Sequence, residues 1–365
     1  MSEVTSEALD NSNYSIDYGD VHNLTELLDL FNHSYLMCDV DLNENVKRVM
    51  LFILYLIIFV AGLVENLLVI WVNWQSWKSK SSINIYILCM AIADFGVVLS
   101  LPFWMLEVML DYTWLWGSFF CHFTHYFYFA NMYSSIFFLT ALSVDRYFSI
   151  VSSSHFWHQN QQRIRKGLCA CIWFLAAVLP LPEIVHMKLI LSNEPICVFL
   201  APFESYDEWT LATSLLVTIV GFLIPFPIIA IFNILTARFI SSSNKPENRK
   251  QCRLIYAYIL VFFISWLPFH LMLTLLTLHG THIFLNCPVV HIVYFFYDII
   301  DCFSLLHCVA NPILYNFLSK NFRGKFMAAV VKYIPKDQRD KKDREFSTSS
   351  TQHSIVITKT NGQPN

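Results

Sequence analysis

Residues 48–74 read RVMLFILYLIIFVAGLVENLLVIWVNW, and Arg48 and Glu65 are the only charged residues in this stretch. A helix rises about 1.5 Å per residue, so about 20 apolar residues cross the roughly 30 Å hydrocarbon core of a bilayer. The stretch therefore predicts a transmembrane helix. Six further windows of this kind follow, at 84–110, 119–150, 167–187, 209–239, 253–279 and 289–318. The predicted fold is an all-α membrane protein, a bundle of seven transmembrane helices.

The composition agrees with a membrane protein. Of the 365 residues 56% are hydrophobic and only 14% are charged, and the chain contains 32 Phe, 17 Tyr and 10 Trp. These proportions disfavour a nucleic-acid-binding protein, a disordered scaffold and an ordinary cytosolic enzyme.

The distribution of Lys and Arg predicts the orientation. The loops that follow the first, third and fifth windows and the C-terminal segment carry 21 of the 24 Lys and Arg residues. Positive residues favour the cytoplasmic side, so the N-terminus is expected outside. Three N-x-S/T sequons agree with this orientation, because all of them lie in the N-terminal tail, at Asn13, Asn23 and Asn32. We expect no removable signal peptide, since the first 45 residues are polar and acidic.

These patterns divide the chain into four parts. Residues 1–46 form an extracellular, acidic, glycosylated tail, and residues 47–318 form the seven-helix domain. Residues 319–331 are expected to form a short amphipathic helix along the inner leaflet, and residues 332–365 form a cytoplasmic tail rich in Ser and Thr.

Ionisable residues within the spans point to function, because a charge at mid-bilayer costs about 2.5–3.5 kcal/mol on insertion scales. Asp94 can face Asn66 and Asn311, as a site for a hydrated cation or as a hydrogen-bonded structural core. Asp145 precedes Arg146 at the cytoplasmic end of the third window, where an ion pair between them is expected to lock that end.

Proline residues interrupt five spans, and the resulting bends can act as hinges or as static kinks that improve packing. They are Pro102, Pro182, Pro225, Pro268 and Pro312.

The polar and aromatic landmarks, taken together and in order, resemble the rhodopsin-like class of G-protein-coupled receptors over residues 45–331. They are Asn66, Asp94, Asp145-Arg146-Tyr147, Trp173, Trp266-Leu-Pro268 and Asn311-Pro-x-x-Tyr315. The resemblance implies a switch involving Asp145, Arg146, Tyr147 and Tyr315, with Trp266 beneath a ligand cavity. It also implies a pocket for an allosteric sodium ion, the only cofactor expected, lined by Asp94, Asn131, Ser135 and Asn311. No other metal site is expected.

Four cysteines fall on the predicted outer side, and four thiols allow three pairings. They are Cys38, Cys121, Cys197 and Cys287. The receptor class implies a Cys121–Cys197 bridge, which leaves Cys38 for Cys287. That second bridge resembles the pattern of chemokine receptors.

Three further motifs are similar to the chemokine-receptor branch. They are Ser100-Leu-Pro-Phe-Trp104, Trp114-Leu-Trp116-Gly117 and His307-Cys308-Val-Ala-Asn311-Pro312. Asp301 stands where many members carry a Glu that contacts the ligand. The resemblance implies a ligand that binds the tail around Tyr14 and Tyr18. It also implies that the flexible end of the ligand enters between Trp104, Tyr128, Trp266 and Asp301. Asp298 faces either this cavity or a neighbouring helix.

The charge of the tail leads independently to a basic partner. Residues 1–45 contain ten acids and no Lys or Arg, and such a field attracts basic chemokines or peptides and speeds their association. The alternative is a tail that merely solvates the receptor. Sulfation of Tyr14 and Tyr18 would deepen the field.

Departures from the family lie on the signalling side. Asn233 stands where signalling members carry a Tyr that joins Arg146 and Tyr315, and Asn is too short for that bridge. A C-terminal cluster offers phosphorylation sites for arrestin or endocytic adaptors, or is simply a disordered tail. Its members are Ser347, Thr348, Ser349, Ser350, Thr351 and Ser354.

This combination resembles the atypical chemokine receptors, which take up ligand without strong G-protein signalling. We expect a multi-pass plasma-membrane protein in contact with membrane lipids and not with nucleic acid, cycling through endosomes. The alternative is a conventional peptide or chemokine receptor that couples to an inhibitory G protein, since Asp145-Arg146-Tyr147 is intact. A retinal pump would need a Lys in the seventh span, and hydrolase or phosphate-loop motifs are missing from the sequence, so an enzyme is not expected.

Overall fold

The computed structural model describes residues 42–78, 85–151, 155–191, 194–242, 246–280 and 287–314, together with Gly324 and Met327. It contains seven helical segments long and apolar enough to cross a membrane, which confirms the predicted bundle. The spans are Glu44–Trp74, Ile85–Met109, Gly117–Ile150, Gln159–Val185, Phe203–Ser241, Cys252–His279 and Pro288–Pro312.

Four spans are single helices, with bounds Glu44–Lys78, Ile85–Met109, Gly117–Ile150 and Pro246–Gly280. The other three are interrupted. The fourth span consists of His155–Val178 and Leu181–Val185, and the seventh of Cys287–Ser304 and His307–Pro312. The fifth span consists of a 3₁₀ turn Phe203–Ser205, helix Tyr206–Thr218, a π-helical segment Ile219–Leu223 and helix Pro225–Ser241.

The π-helical segment in the fifth span has an identifiable cause. Pro225 has no backbone N–H, so the turn before it cannot close in the ordinary α-helical way. Instead the N–H of Ile224 donates to the carbonyl of Ile219 at 3.0 Å, five residues back. Pro102 and Pro268 stay inside continuous helices.

A β-hairpin connects the fourth and fifth spans. Strand β1, Met187–Ile190, pairs antiparallel with strand β2, Ile196–Phe199, and Leu189 lies opposite Cys197. A disulfide joins Cys197 to Cys121 at the start of the third span, with the two Cα atoms 5.8 Å apart. The hairpin is thereby held against the third span.

The third span is the centre of the bundle. In its apolar window 61% of the residues are buried inside the protein, compared with 22% for the fourth span. Large apolar side chains point outward elsewhere, as on the first span, where Val60 and Val64 are 53% and 61% exposed. Such surfaces suit contact with lipid. Below, the disulfide end is the end of the bundle with Cys121 and Cys197, and the Asp145 end is the end with Asp145 and Arg146.

Candidate functional site

At the disulfide end, three of the four predicted cavity residues come together from three spans. The rings of Trp104 and Tyr128 stack with centroids 5.4 Å apart. The hydroxyl of Tyr128 donates to the Asp301 carboxylate and lies 3.5 Å from the hydroxyl of Ser304. The indole N–H of Trp104 has no hydrogen-bond partner among the described residues. The cluster therefore offers one negative charge and one unused donor.

Trp266, the fourth predicted cavity residue, packs in a different group of rings. Its ring lies 4.8 Å from that of His307 and 6.1 Å from those of Phe269 and His270. Trp266 is 3% exposed, so it belongs to the packed core between the Tyr128 cluster and the polar groups around Asp94.

Asp298 faces the first span, not the Tyr128 cluster. Its carboxylate accepts a hydrogen bond from the Tyr112 hydroxyl at 2.9 Å and lies 3.3 Å from the ammonium of Lys47. Asp111 and Tyr112 have left-handed backbone conformations, with φ of 59° and 62°, in the turn that carries the Tyr112 ring. Burial, together with the Asp298 charge, raises the pKa of Tyr112 above its ordinary value.

Lys47 is a residue of this cluster that sequence reasoning missed. It is only 6% exposed, and it also pairs with Glu44 at 2.8 Å. In the sequence it is merely one of the few basic residues on the predicted outer side. The only signal for this contact is its position next to Arg48 in the first turn of a span.

In the middle of the bundle, the four residues of the predicted sodium pocket form two hydrogen-bonded pairs. The Asn131 amide donates to Asp94 Oδ1 at 2.9 Å, and the Asn311 amide donates to the Ser135 hydroxyl at 3.2 Å. Asp94 and Asn311 line one cavity, and Ser135 and Asn311 line another. Each holds about 10 Å³, which is about enough for one water molecule or a small ion.

Asn66 joins this centre through the seventh span. Its amide donates to the carbonyls of Gly62 and Cys308, both at 2.9 Å. Asp94 Oδ2 and Asn66 Oδ1 are both buried without a hydrogen-bond partner among the described residues. Free carboxylate and amide oxygens are ligands that a hard cation such as sodium accepts, so these residues fit the ion.

The Asp145 end differs from the predicted arrangement. Arg165 of the fourth span, and not Arg146, pairs with Asp145: its Nε and Nη2 donate to the two carboxylate oxygens at 3.0 and 2.7 Å. The expected Asp145–Arg146 ion pair is therefore wrong. Successive side chains on a helix do not face each other, and the Arg146 guanidinium instead lies over the Tyr258 ring, 5.0 Å from its centroid.

Asn233 is turned toward the third span. Its amide donates to the Ser143 hydroxyl at 2.8 Å and to the Ile229 carbonyl at 2.9 Å, and the residue is 1% exposed. The Tyr258 hydroxyl donates to the Leu314 carbonyl at 2.9 Å, which connects the sixth and seventh spans next to Arg146.

Several predicted sites lie outside the described residues. They are the amphipathic segment 319–331, Tyr315, the tail residues Asn13, Tyr14, Tyr18, Asn23, Asn32 and Cys38, the side chain of Cys287, and the cluster Ser347, Thr348, Ser349, Ser350, Thr351 and Ser354.

Seven spans, the Cys121–Cys197 bridge and the polar centre at Asp94 define the class. The family described as "7 transmembrane receptor (rhodopsin family)" matches residues 65–315, and the chain belongs to this family. It is therefore a multi-pass receptor of the plasma membrane, and the family is one of receptors and not of enzymes.

Three relatives illustrate where the chain falls in the family. It is 60% identical to human "G-protein coupled receptor 182", over 95% of this chain and 86% of the relative. It is 35% identical to human "Atypical chemokine receptor 3", over 88% of this chain and 90% of the relative. It is 34% identical to the pig "Type-1 angiotensin II receptor", over 86% of this chain and 88% of the relative. These similarities fit the chemokine-receptor branch.

Proposed function

We propose that this receptor binds chemokines at the cell surface and internalises them, with weak or absent G-protein signalling. One observation carries the proposal: at the Asp145 end, Asn233 occupies the position of the family Tyr and is bound to Ser143. An activating rearrangement must break that hydrogen bond, and the Asn side chain cannot replace the reach of a Tyr. The active arrangement therefore lacks one hydrogen bond, which disfavours it by about 1 kcal/mol.

The Asp145–Arg165 pair adds to this bias. It ties the third span to the fourth through two charge-assisted hydrogen bonds, and Asp145 is largely buried. Such bidentate pairs are stronger than neutral hydrogen bonds. Movement of the third span at this end has to carry Arg165 with it or lose the pair.

The disulfide end supports a basic protein ligand. Ten acids in residues 1–45 attract a basic body, with the N-terminus outside and Tyr14 and Tyr18 as sulfated contacts. The flexible end of the ligand then enters at Trp104, Tyr128 and Asp301, where the Asp301 charge and the free indole N–H of Trp104 can bind it. A Cys38–Cys287 bridge would hold the tail over this entrance.

The proposal also covers modification and internalisation of the receptor. Glycosylation at Asn13, Asn23 and Asn32 belongs to the outer tail, and phosphorylation of residues 347–354 recruits arrestin or endocytic adaptors. The relative named "Atypical chemokine receptor 3", similar over 88% of the chain, supports this assignment.

A second candidate is a conventional peptide receptor that couples to an inhibitory G protein. The observation in its favour is that Arg146 makes no ion pair with Asp145 and lies against Tyr258. The similarity to a "Type-1 angiotensin II receptor" also favours a peptide ligand.

The test records uptake and G-protein dissociation together in cells that express the receptor, with a panel of fluorescent chemokines. Untransfected cells control for uptake, and a conventional chemokine receptor controls for dissociation. We expect uptake of at least one chemokine without dissociation. Dissociation as strong as that of the control receptor would support the second candidate, and a panel without uptake or dissociation would overturn the chemokine ligand.

A further inference from the structure

We propose that Asp298 is a second binding site for a cationic side chain of the ligand, and that Lys47 occupies this site and has to be displaced. The inference rests on the proposed function, since it requires a basic ligand, and it concerns a carboxylate separate from Asp301. Lys47 then acts as an internal competitor that determines how basic a ligand has to be.

The surroundings of the Lys47 ammonium form a complete cation site. Its Nζ lies 3.3 Å from Asp298 Oδ2, the same oxygen that accepts a hydrogen bond from the Tyr112 hydroxyl at 2.9 Å. The ring centroids of Tyr112 and Phe295 lie 5.4 and 5.2 Å from the nitrogen. A carboxylate together with aromatic faces within about 6 Å binds the charged groups of lysine and arginine. The site therefore suits a basic side chain of a ligand as well as it suits Lys47.

The contact between Lys47 and Asp298 is loose enough to be exchanged. Its 3.3 Å separation exceeds the length of a strong charge-assisted hydrogen bond, which is about 2.7–2.9 Å. The closer partner of Lys47 is Glu44, at 2.8 Å, three residues earlier on the same helix. The Glu44 side chain is 56% exposed and that of Lys47 only 7%, so rotation of the flexible lysine stem toward Glu44 moves the ammonium toward solvent. A displaced Lys47 therefore stays paired and leaves no buried charge without a partner.

A ligand that approaches Asp301 from the disulfide end meets Asp298 first. Both carboxylates belong to the helix Cys287–Ser304, and Asp298 lies three residues, or about 4.5 Å, nearer to that end. The Asp298 side chain is 34% exposed, so its carboxylate is open to an incoming group. A flexible basic segment can therefore place one cationic group at each carboxylate.

Competition by Lys47 has a consequence that a purely structural lysine does not share. In the unmodified receptor, the attraction of Asp298 for a ligand cation is offset by the separation of Asp298 from Lys47, so loss of Asp298 alone changes affinity little. Removal of the Lys47 charge leaves Asp298 and its two aromatic neighbours without a cation, and the ligand gains the whole interaction. If Lys47 served only to fasten the first span to the seventh, its loss would loosen the cavity and weaken binding.

The test measures affinity in a double-mutant cycle of Lys47→Met and Asp298→Asn, with the full-length receptor in phosphatidylcholine nanodiscs. The probes are the fluorescent chemokines of the uptake panel and a fluorescent hexa-arginine peptide. Lys47→Met keeps an unbranched side chain and should raise the affinity about tenfold, and Asp298→Asn should abolish this gain. Arg48→Met is the control, because it removes the same charge from a pair with the exposed Asp111 at 2.7 Å, and it should change affinity by less than about threefold.

Glu44→Gln tests the competition in the opposite direction and keeps the test decisive if Lys47→Met does not fold. Without the Glu44 charge, Lys47 has Asp298 as its one carboxylate partner among the described residues, so its displacement costs more. Both probes should then bind about threefold more weakly. Glu204→Gln, at an exposed acid of the same end, is the control and should have a smaller effect.

The inference is overturned if Lys47→Met leaves affinity unchanged or lowers it, or if the gain survives Asp298→Asn. An equal gain with Arg48→Met, or binding of neither probe to the Lys47→Met receptor, also overturns it. A failure of the proposed function has a different result. If no chemokine binds the unmodified receptor, the chemokine ligand is wrong, and the cycle with hexa-arginine still decides whether Lys47 competes for Asp298.

Discussion

The two ends of the bundle are held together in different ways. At the disulfide end, a covalent bridge fastens the hairpin to the third span, and Asp301 and Asp298 each receive a hydrogen bond from a Tyr of another part of the chain. At the Asp145 end, non-covalent contacts of polar side chains connect the spans: Asp145 with Arg165, Asn233 with Ser143, and Arg146 over Tyr258.

The difference bears on how ligand binding and signalling are related in this receptor. The residues expected to meet a ligand are held by a covalent bridge and by contacts of charged groups, at Cys121–Cys197, Asp301 and Asp298. The residues expected to meet a G protein are held by Asp145–Arg165, Asn233–Ser143 and Arg146–Tyr258 contacts, and each contact favours the arrangement that the structure shows. If the proposed function is right, ligand capture and signal output depend on separate sets of contacts, and substitutions should separate them.

The largest effect is expected from removal of the bridge. Changing Cys121 and Cys197 to Ser together releases a loop with a sequence separation of 76 residues, which should cost about 3–4 kcal/mol of stability. The melting temperature of the purified receptor and the amount of ligand bound at the cell surface should both fall sharply. Cys171→Ser, at an exposed free cysteine, is the control; an unchanged melting temperature in the double variant would contradict the role assigned to the bridge.

Asp301→Asn should weaken the binding of a basic ligand by about 30-fold, or about 2 kcal/mol, because it removes a buried charge while an amide oxygen still accepts from Tyr128. Competition binding on whole cells measures the change. Asp298→Asn is matched in size and charge but faces Lys47, so it should change affinity by less than about threefold. Equal affinities for Asp301→Asn and the unmodified receptor would place the ligand elsewhere.

The Asp145–Arg165 pair should show a coupling free energy of about 1.5 kcal/mol in a double-mutant cycle of Asp145→Asn and Arg165→Gln. Thermal unfolding of the four proteins provides the cycle. Arg163→Gln, an exposed residue on the same helix, serves as the control and should be nearly neutral. Additive effects of the two substitutions would mean that the pair does not stabilise this end.

Asn233→Tyr should increase G-protein dissociation by about fivefold, which corresponds to about 1 kcal/mol in favour of the active arrangement. Asn233→Phe is the matched control, since it also removes the bond to Ser143 but adds no hydroxyl. If the two variants behave alike, the missing hydroxyl is not what limits coupling.

Much of the fold follows from the sequence, because burial of a backbone in lipid leaves few alternatives to a helix. The seven apolar windows correspond to the seven spans, although the first helix begins at Glu44 instead of residue 48. The pairs Asn131–Asp94 and Asn311–Ser135 join residues that the family resemblance had already grouped.

The contacts that the sequence did not predict share a physical cause. Which side chains meet depends on how the helices are rotated against each other. Asp145 meets Arg165, 20 residues away, because both face the same groove, whereas its neighbour Arg146 points elsewhere. Lys47 and Tyr112 meet at Asp298 only after the loop turns back through two left-handed residues. The hairpin was not predicted either, since four-residue strands carry little periodic signal.

The π-helical turn at Ile219–Leu223 sets the helical phase of the fifth span. One additional residue in a turn rotates everything on one side of it by about 100° relative to the other. Deletion of one residue between Ile219 and Leu223 would let the turn relax into a regular helix, and the half from Tyr206 to Thr218 would then present a different face to the bundle while Asn233 kept its own. The two halves of the fifth span can therefore be rotated against each other by the insertion or deletion of a single residue in this turn, without a change in the sequence of either half.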